Sequence, residues 1–323
     1  MPNITFASNN KAHWPLSNTD ATADSFDSTK VPYAISLNQD ESISSPEFAE
    51  VVGDVTWLHC RIWANDSLTA GVVHLMRVFD ANQNMMCEVK KVNGIKWLVE
   101  LIADDGTTTE ANNASFNVNL NVVNQIDVRV EVTGALINTS LYINGGLAAV
   151  SNIAANVGAF GKPNHFNLGA AFSQISSKVN YSEILVSDSD TRNARMSLLR
   201  PTAEGGHTDW VGVAAELADN DPTSGMTSIA IDEYETLALS AYAGASNISS
   251  VIIATLSMAG ANAPQNLKHI IRLSAVDYEI GSDIPLSPIL QYDITDYQEN
   301  PAASLPWISS HLTSMEAGMR SKT

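Results

Sequence analysis

Residues 124–150 read NQIDVRVEVTGALINTSLYINGGLAAV, and their pattern decides the fold class. From Gln125 to Val132 apolar and polar side chains alternate almost without fault, which is the period of a strand with one buried face. Leu136 to Ile143 repeats the alternation and pairs with the first run. Asn144-Gly145-Gly146 between two such runs is strong hairpin chemistry, because its residues accept the positive φ that a tight turn requires. The chain then enters Leu147 to Val150.

Working outward, the same grammar recurs. Val55 to Trp63 is a strand with Leu58, Cys60 and Ile62 on one face and Trp57, His59 and Arg61 on the other. Gly71 to Asp80 follows, and the turn Asp80–Asn84 leads into Met85 to Val92. Asn93-Gly94 then precedes Lys96 to Ile102, with a further turn at Asp104-Asp105-Gly106. Phe166–Gly169 and Tyr181–Val186 close the block. Many short strands divided by Gly, Asn and Asp turns, without helical period, predict an all-β jelly-roll sandwich. Around residues 190–202 the pattern breaks, which predicts two domains: 1–195, with an N-terminal arm over about 1–50, and 196–323. In the second, strands are expected at 196–199, 227–231, 236–241, 248–256, 266–273 and 289–293. Ile308, Leu312 and Met315 share a helical face within Pro306–Gly318, so one short helix is expected there, ended by Gly318.

Composition narrows function. The 323 residues carry 17 Lys and Arg against 35 Asp and Glu, a formal charge of −18. Residues 201–323 hold 4 basic and 15 acidic side chains, or −11. Such a surface repels phosphates and anionic lipid headgroups, so neither nucleic acid nor membrane is expected as a partner. No apolar run reaches the roughly 18–20 residues of a membrane span, and residues 1–11 lack a secretory pattern, so a soluble cytoplasmic product is expected. Cys60 and Cys87 lie in apolar runs and read as buried free thiols.

Chemistry is sparse. A glycanase sandwich needs two carboxylates facing one cleft, and Val130-Glu131-Val132 offers one. Asp80–Asn84 starts like a calcium loop but lacks the sixth-position Gly and the distal Glu, so it reads as a hairpin turn. No catalytic residue, metal site or cofactor is expected. Were calcium bound, Asp104, Asp105, Asp188 and Asp190 are its candidate ligands. His13, His59, His74, His165, His207, His269 and His311 are scattered away from any nucleophile, and His59 and His74 read as structural. Trp14, Trp210 and Trp307 are the candidates for stacking on a sugar, weighed against places in a core. The sequons at Asn65 and Asn113 read as turn residues.

Two resemblances follow. Trp57 to Val186, through WLHCRIW, VFDANQNMMCEV, NQIDVRVEV, LYINGGLAAV, FNLGAA and YSEILVSD, resembles the concanavalin-like (laminin-G-like) jelly rolls. That family implies two antiparallel sheets that bind glycans, bind proteins or build. Met196 to Lys322, through SLLRPTAEGGHTDWVG, ADNDPTSGMTSIAI, ETLALS and NPAASLPWISSHLTSMEAG, resembles a domain of tailed-bacteriophage virion structural proteins. It implies a structural component of the particle surface, a tail appendage, fibre or capsid decoration, that is not an enzyme. Expected partners are other virion proteins and copies of itself, in threes, with a host-surface glycan as a further ligand; the alternative is a lectin or adhesin.

Overall fold

The computed structural model describes residues 3–8, 14, 16–17, 22–27, 30–37, 41–64, 73–92, 96–102, 108–113, 122–150, 154–156, 158–169, 179–218, 223–245, 247–261 and 264–323. The chain divides into two compact units, Pro2–Met196 and Ser197–Thr323. The structure is almost wholly β.

The N-terminal unit is an antiparallel jelly-roll sandwich. Its first sheet has nine strands among the described residues. Gly146–Val150, Leu136–Ile143, Asn124–Val132, Val55–Ala64, Val179–Ser187, Val31–Leu37 and Thr22–Asp27 lie side by side in that order. The register sets Val128 between Leu58 and Leu141, so the alternation read from the sequence builds one apolar layer. Val128 and Leu141 are fully buried and Leu58 nearly so. Asn144 (φ 51°) and Gly145 (φ 80°) form the turn. The second sheet has seven strands: Thr108–Asn113, Lys96–Ile102, Met85–Val92, Val73–Asp80, Pro163–Gly169, Ser42–Ser44 and Leu16–Ser17. The Tyr181 hydroxyl of the first sheet donates to the Leu75 carbonyl of the second at 3.1 Å.

The segment expected as an arm supplies strands to both sheets. Ile4–Ser8 pairs with Val179–Ser187, and Leu16–Ser17 pairs with Ser42–Ser44. Its anchor is Phe6, whose ring centroid lies 5.5 Å from Trp14, 5.6 Å from Phe166 and 6.1 Å from Phe48. Burying one such ring stabilises by about 2–3 kcal/mol. Cys60 and Cys87 are buried free thiols, and burial pushes both upward, Cys87 to about 12. The turns at Asn93-Gly94 and Asp104–Gly106 lie outside the described residues, as does the sequon at Asn65.

The C-terminal unit has a six-stranded sheet among the described residues, ordered Pro201–Thr208, Tyr234–Leu239, Glu316–Lys322, Asn266–Leu273 and Val276–Glu279, with Ile284–Pro285 beside Asn266–Leu267. Val251–Ser257 and Gln291–Tyr297 form a separate two-stranded ribbon. His269 joins sheet to ribbon, its two ring nitrogens 2.8 Å from the hydroxyls of Thr255 and Thr295. Burial lowers its pKa to about 3, so the imidazole is neutral. Trp307, Tyr297, Ile271 and Met315 fill the core. Trp307 Nε1 donates to the Tyr297 carbonyl at 2.6 Å, and the Tyr297 hydroxyl to the His269 carbonyl at 2.9 Å.

The short C-terminal helix does not form. Trp307–Ile308 is a strand, Ser309–Leu312 a single 3₁₀ turn, and Glu316–Lys322 a strand inside the sheet. Leu312 and Met315 do face the core, but Ile308 is exposed. Ser309, Ser310, Thr313 and Ser314 are weak helix formers, and burial in a sheet outweighs that marginal preference. Gly318 is no helix cap: a Cβ there would lie 1.9 Å from the Glu235 carbonyl oxygen. Strand positions shift elsewhere too. Residues 196–199 are not a strand, the 227–231 run makes only the bridge between Val211 and Thr227, and the last ribbon strand starts at Gln291. Among the described residues no helix is long and apolar enough to cross a membrane.

Candidate functional site

Two of the three tryptophans singled out for sugar stacking are core residues. Trp14 is 3% exposed, gives its Nε1 to Ser8 Oγ at 2.9 Å and packs edge-on against Phe6 and Phe166. Trp307 is 1% exposed. Neither has a ring face left for a ligand. Trp210 is half-buried and its Nε1 donates to the Glu233 carbonyl at 3.3 Å.

The two calcium candidates among the described residues are engaged by protein groups. Asp188 accepts from the Asn3 amide and the Ser189 hydroxyl, both at 2.8 Å. Asp190 is bound by the Arg192 guanidinium, which holds its carboxyl below the usual range. Asp104 and Asp105 lie outside the described residues. Asp80 caps its own turn, accepting from the amides of Asn82, Asn84 and Gly161. Among the described residues no cluster of three His, Cys, Asp or Glu side chains could hold a metal ion.

A polar cluster does form on the outer face of the second sheet. Glu88 alternates with Cys87 and Val89, so its side chain points away from the core they enter. Glu88 Oε1 lies 2.5 Å from both His74 Nδ1 and Arg77 Nε. Burial of Glu88 works to raise its pKa, but the bonds from His74 and Arg77 outweigh it and the carboxyl titrates below its ordinary value. His74 and Arg77 are 22% and 29% exposed, so the cluster opens to solvent. The Glu88 carboxylate accepts from His74 Nδ1 and so fixes the orientation of the ring. The Arg77 fork beside it is suited to carboxylate or sulfate oxygens. Close by in the register, His165 stacks on Phe79 at 4.9 Å with the rings 8° from parallel. Spacing along strands read His74 as structural; only cross-strand register joins it to Arg77 and Glu88.

The outer face of the first sheet is instead covered. Trp57, His59 and Asp127 point outward by alternation, yet His59 is 1% and Asp127 0% exposed. A strap, Asp188–Met196, lies over them. Asp127 Oδ1 accepts from His59 Nδ1 and from Thr191 Oγ1, each at 2.7 Å, and Oδ2 accepts from Gln125 Nε2 at 2.7 Å. The Arg192 guanidinium sits 4.7 Å above the Tyr142 ring and 5.6 Å above Trp57. Arg195 forks onto buried Glu183, which also caps the Met196 amide.

This arrangement defines an antiparallel jelly-roll sandwich with one polar open face. No protein-family model matches the chain, and a search of curated proteins finds no match. Solved structures similar to it include an alginate lyase from a Chlorella virus, at 8% identity and TM-score 0.41, covering 57% of this chain and 99% of that one. The cellulose-induced protein Cip1 is similar at 12% identity and TM-score 0.36, over 56% of this chain and 93% of its own. An alginate lyase from Pseudomonas aeruginosa is similar at 12% identity and TM-score 0.38, over 52% and 86%. Likeness of this degree speaks of the fold. It nevertheless corrects the expectation that the chain is not an enzyme. Structures similar to it include alginate lyases, and a missing carboxylate pair bears on glucanase chemistry alone.

Proposed function

We propose that the chain is a structural component of a tailed-phage particle, displayed at its surface and assembled through its C-terminal unit. The observation that carries this reading is where large apolar side chains meet solvent. In the C-terminal unit Val211, Ile229 and Ile289 are 67%, 73% and 73% exposed, and Ile231, Met258 and Leu305 are more than half exposed. Apolar exposure of this kind on a folded β unit is what a protein interface needs. The segments that resemble virion proteins support the reading from another side, because their distinctive residues build this unit. Trp307 fills its core and Gly318 its tightest strand contact. Sedimentation velocity of the purified chain tests the proposal. A trimer or larger oligomer that Ile229→Asp or Ile289→Asp dissociates is expected; a monomer at high concentration counts against it.

A second reading is favoured by the His74–Glu88–Arg77 cluster: recognition of a host-surface saccharide by the outer face of the second sheet. An imidazole and a guanidinium side by side on an open sheet suit hydroxyl and carboxylate groups of a sugar. Binding to a glycan array that is lost in Arg77→Ala, with reducing-end release followed in parallel, tests it. Equal binding by the variant removes the site.

A further inference from the structure

The strap Asp188–Met196 closes over a histidine whose hydrogen bonding it leaves incomplete. His59 alternates with the core residues Leu58 and Cys60, so it stands on the outer face of the first sheet, where an uncovered side chain meets water. Under the strap it is buried, with Nδ1 2.7 Å from Asp127 Oδ1. Asp127 also accepts from the Thr191 hydroxyl of the strap and from Gln125 Nε2. A carboxylate only accepts, so the imidazole is the donor in its bond, through Nδ1–H. The other ring nitrogen, Nε2, is sealed from solvent and meets no donor or acceptor among the described residues. In the neutral ring that nitrogen is a lone pair. In the imidazolium it is a charged N–H without acceptor or water, the costlier of the two.

We propose that the strap is a proton-released lid: protonation of His59 lifts Asp188–Met196 and uncovers the aromatic face beneath it. The bond between His59 and Asp127 does not need the lid, because both residues stand opposite each other on paired strands. With the lid raised, Nε2–H is hydrated while Nδ1–H stays on Asp127. Opening therefore favours the charged ring and, by linkage, acid favours opening. The titratable and charged groups on this face are Asp127 and, beside it, Tyr142, Arg61 on the strand of His59 itself, Glu183 on Val179–Ser187, and Asp188, Asp190, Arg192 and Arg195 of the strap. Asp188 accepts from the Asn3 amide, Asp190 is engaged by Arg192, and Glu183 by Arg195 and Arg61. Asp127 is the carboxylate bonded to the ring, on the Nδ1 side. Lifting the strap also takes Arg192 from above Trp57 and Tyr142, whose ring centroids lie 5.4 Å apart, and exposes the pair.

Hydrogen exchange of the full chain, corrected for intrinsic rate, tests the lid. The Ala194 amide is bonded to the Thr191 carbonyl and the Met196 amide to Glu183. Their protection is expected to fall about tenfold between about pH 7.5 and about pH 5.5, while Asn124–Val132 stays protected. His59→Gln offers Asp127 a neutral N–H donor at every pH and flattens the profile. Nuclear magnetic resonance of the wild-type ring keeps the test open if that variant does not fold: the His59 imidazole is expected to titrate at the pH where the strap opens. A flat wild-type profile, a dependence that survives in His59→Gln, a ring that titrates beneath a protected strap, or equal loss in Asn124–Val132 overturns the proposal.

Discussion

At the scale of single residues, two carboxyl groups titrate in opposite senses because their surroundings differ. Glu88 is held down by His74 and Arg77, so its contribution to stability is fully present above the ordinary carboxylate value and is lost as pH falls below that value through the lowered folded one. Glu235 is raised to about 7 from 4.5, so the folded unit binds a proton there that the unfolded chain does not. Its penalty grows as pH rises from about 4.5 to about 7 and is constant above. The C-terminal unit of wild type should therefore lose stability to urea over that window, and Glu235→Gln should lose less. A third carboxyl, Asp127, is buried with three donors on it and acts through those bonds. Asp127→Ala leaves His59, Thr191 and Gln125 without that acceptor and should cost about 3–5 kcal/mol in urea unfolding. Gly318→Ala should cost about 1–3 kcal/mol or more, since its Cβ would overlap the Glu235 carbonyl.

At the scale of elements, the strap Asp188–Met196 shows how an irregular segment becomes part of a sandwich. It has no strand or helix, yet Asp127, Glu183, Trp57 and Tyr142 hold it at several points. Glu183 takes φ 50°, an unusual backbone for a residue with a Cβ, and sits where the register between its strand and Val55–Ala64 shifts. Such a kink re-aims a side chain, and here the carboxylate receives Arg195 and the Met196 amide. Glu183→Ala should free the strap, and limited trypsin digestion should then cut after Arg192 and Arg195 several-fold faster than in wild type. Unchanged cutting would mean that Asp127 and the aromatic pair suffice to hold it. The expected helix at Pro306–Gly318 fails for a related reason. A three-point apolar spacing fits a helical face, but it also fits a turn followed by a strand, and the sheet position of Glu316–Lys322 decides between them.

At the scale of the whole molecule, the −11 charge of residues 201–323 works against close approach of copies at low salt. If the exposed Ile229 and Ile289 drive assembly, association should strengthen as salt screens that repulsion, which sedimentation at two ionic strengths will show. The two-sheet sandwich of Pro2–Met196 was legible in QIDVRVEV and LYINGG, because a period of two and a turn that demands positive φ are local properties. So were buried Cys60 and Cys87. The sites were not legible in that way. His74, Arg77 and Glu88 meet through strand register, and Asp127 reaches Thr191 only because the strap folds back over the sheet. Composition and alternation determine which face of a strand is apolar, since burial acts residue by residue. Which polar residues come to share a partner is set by pairing between distant strands, and that geometry exists only once the sheets have closed.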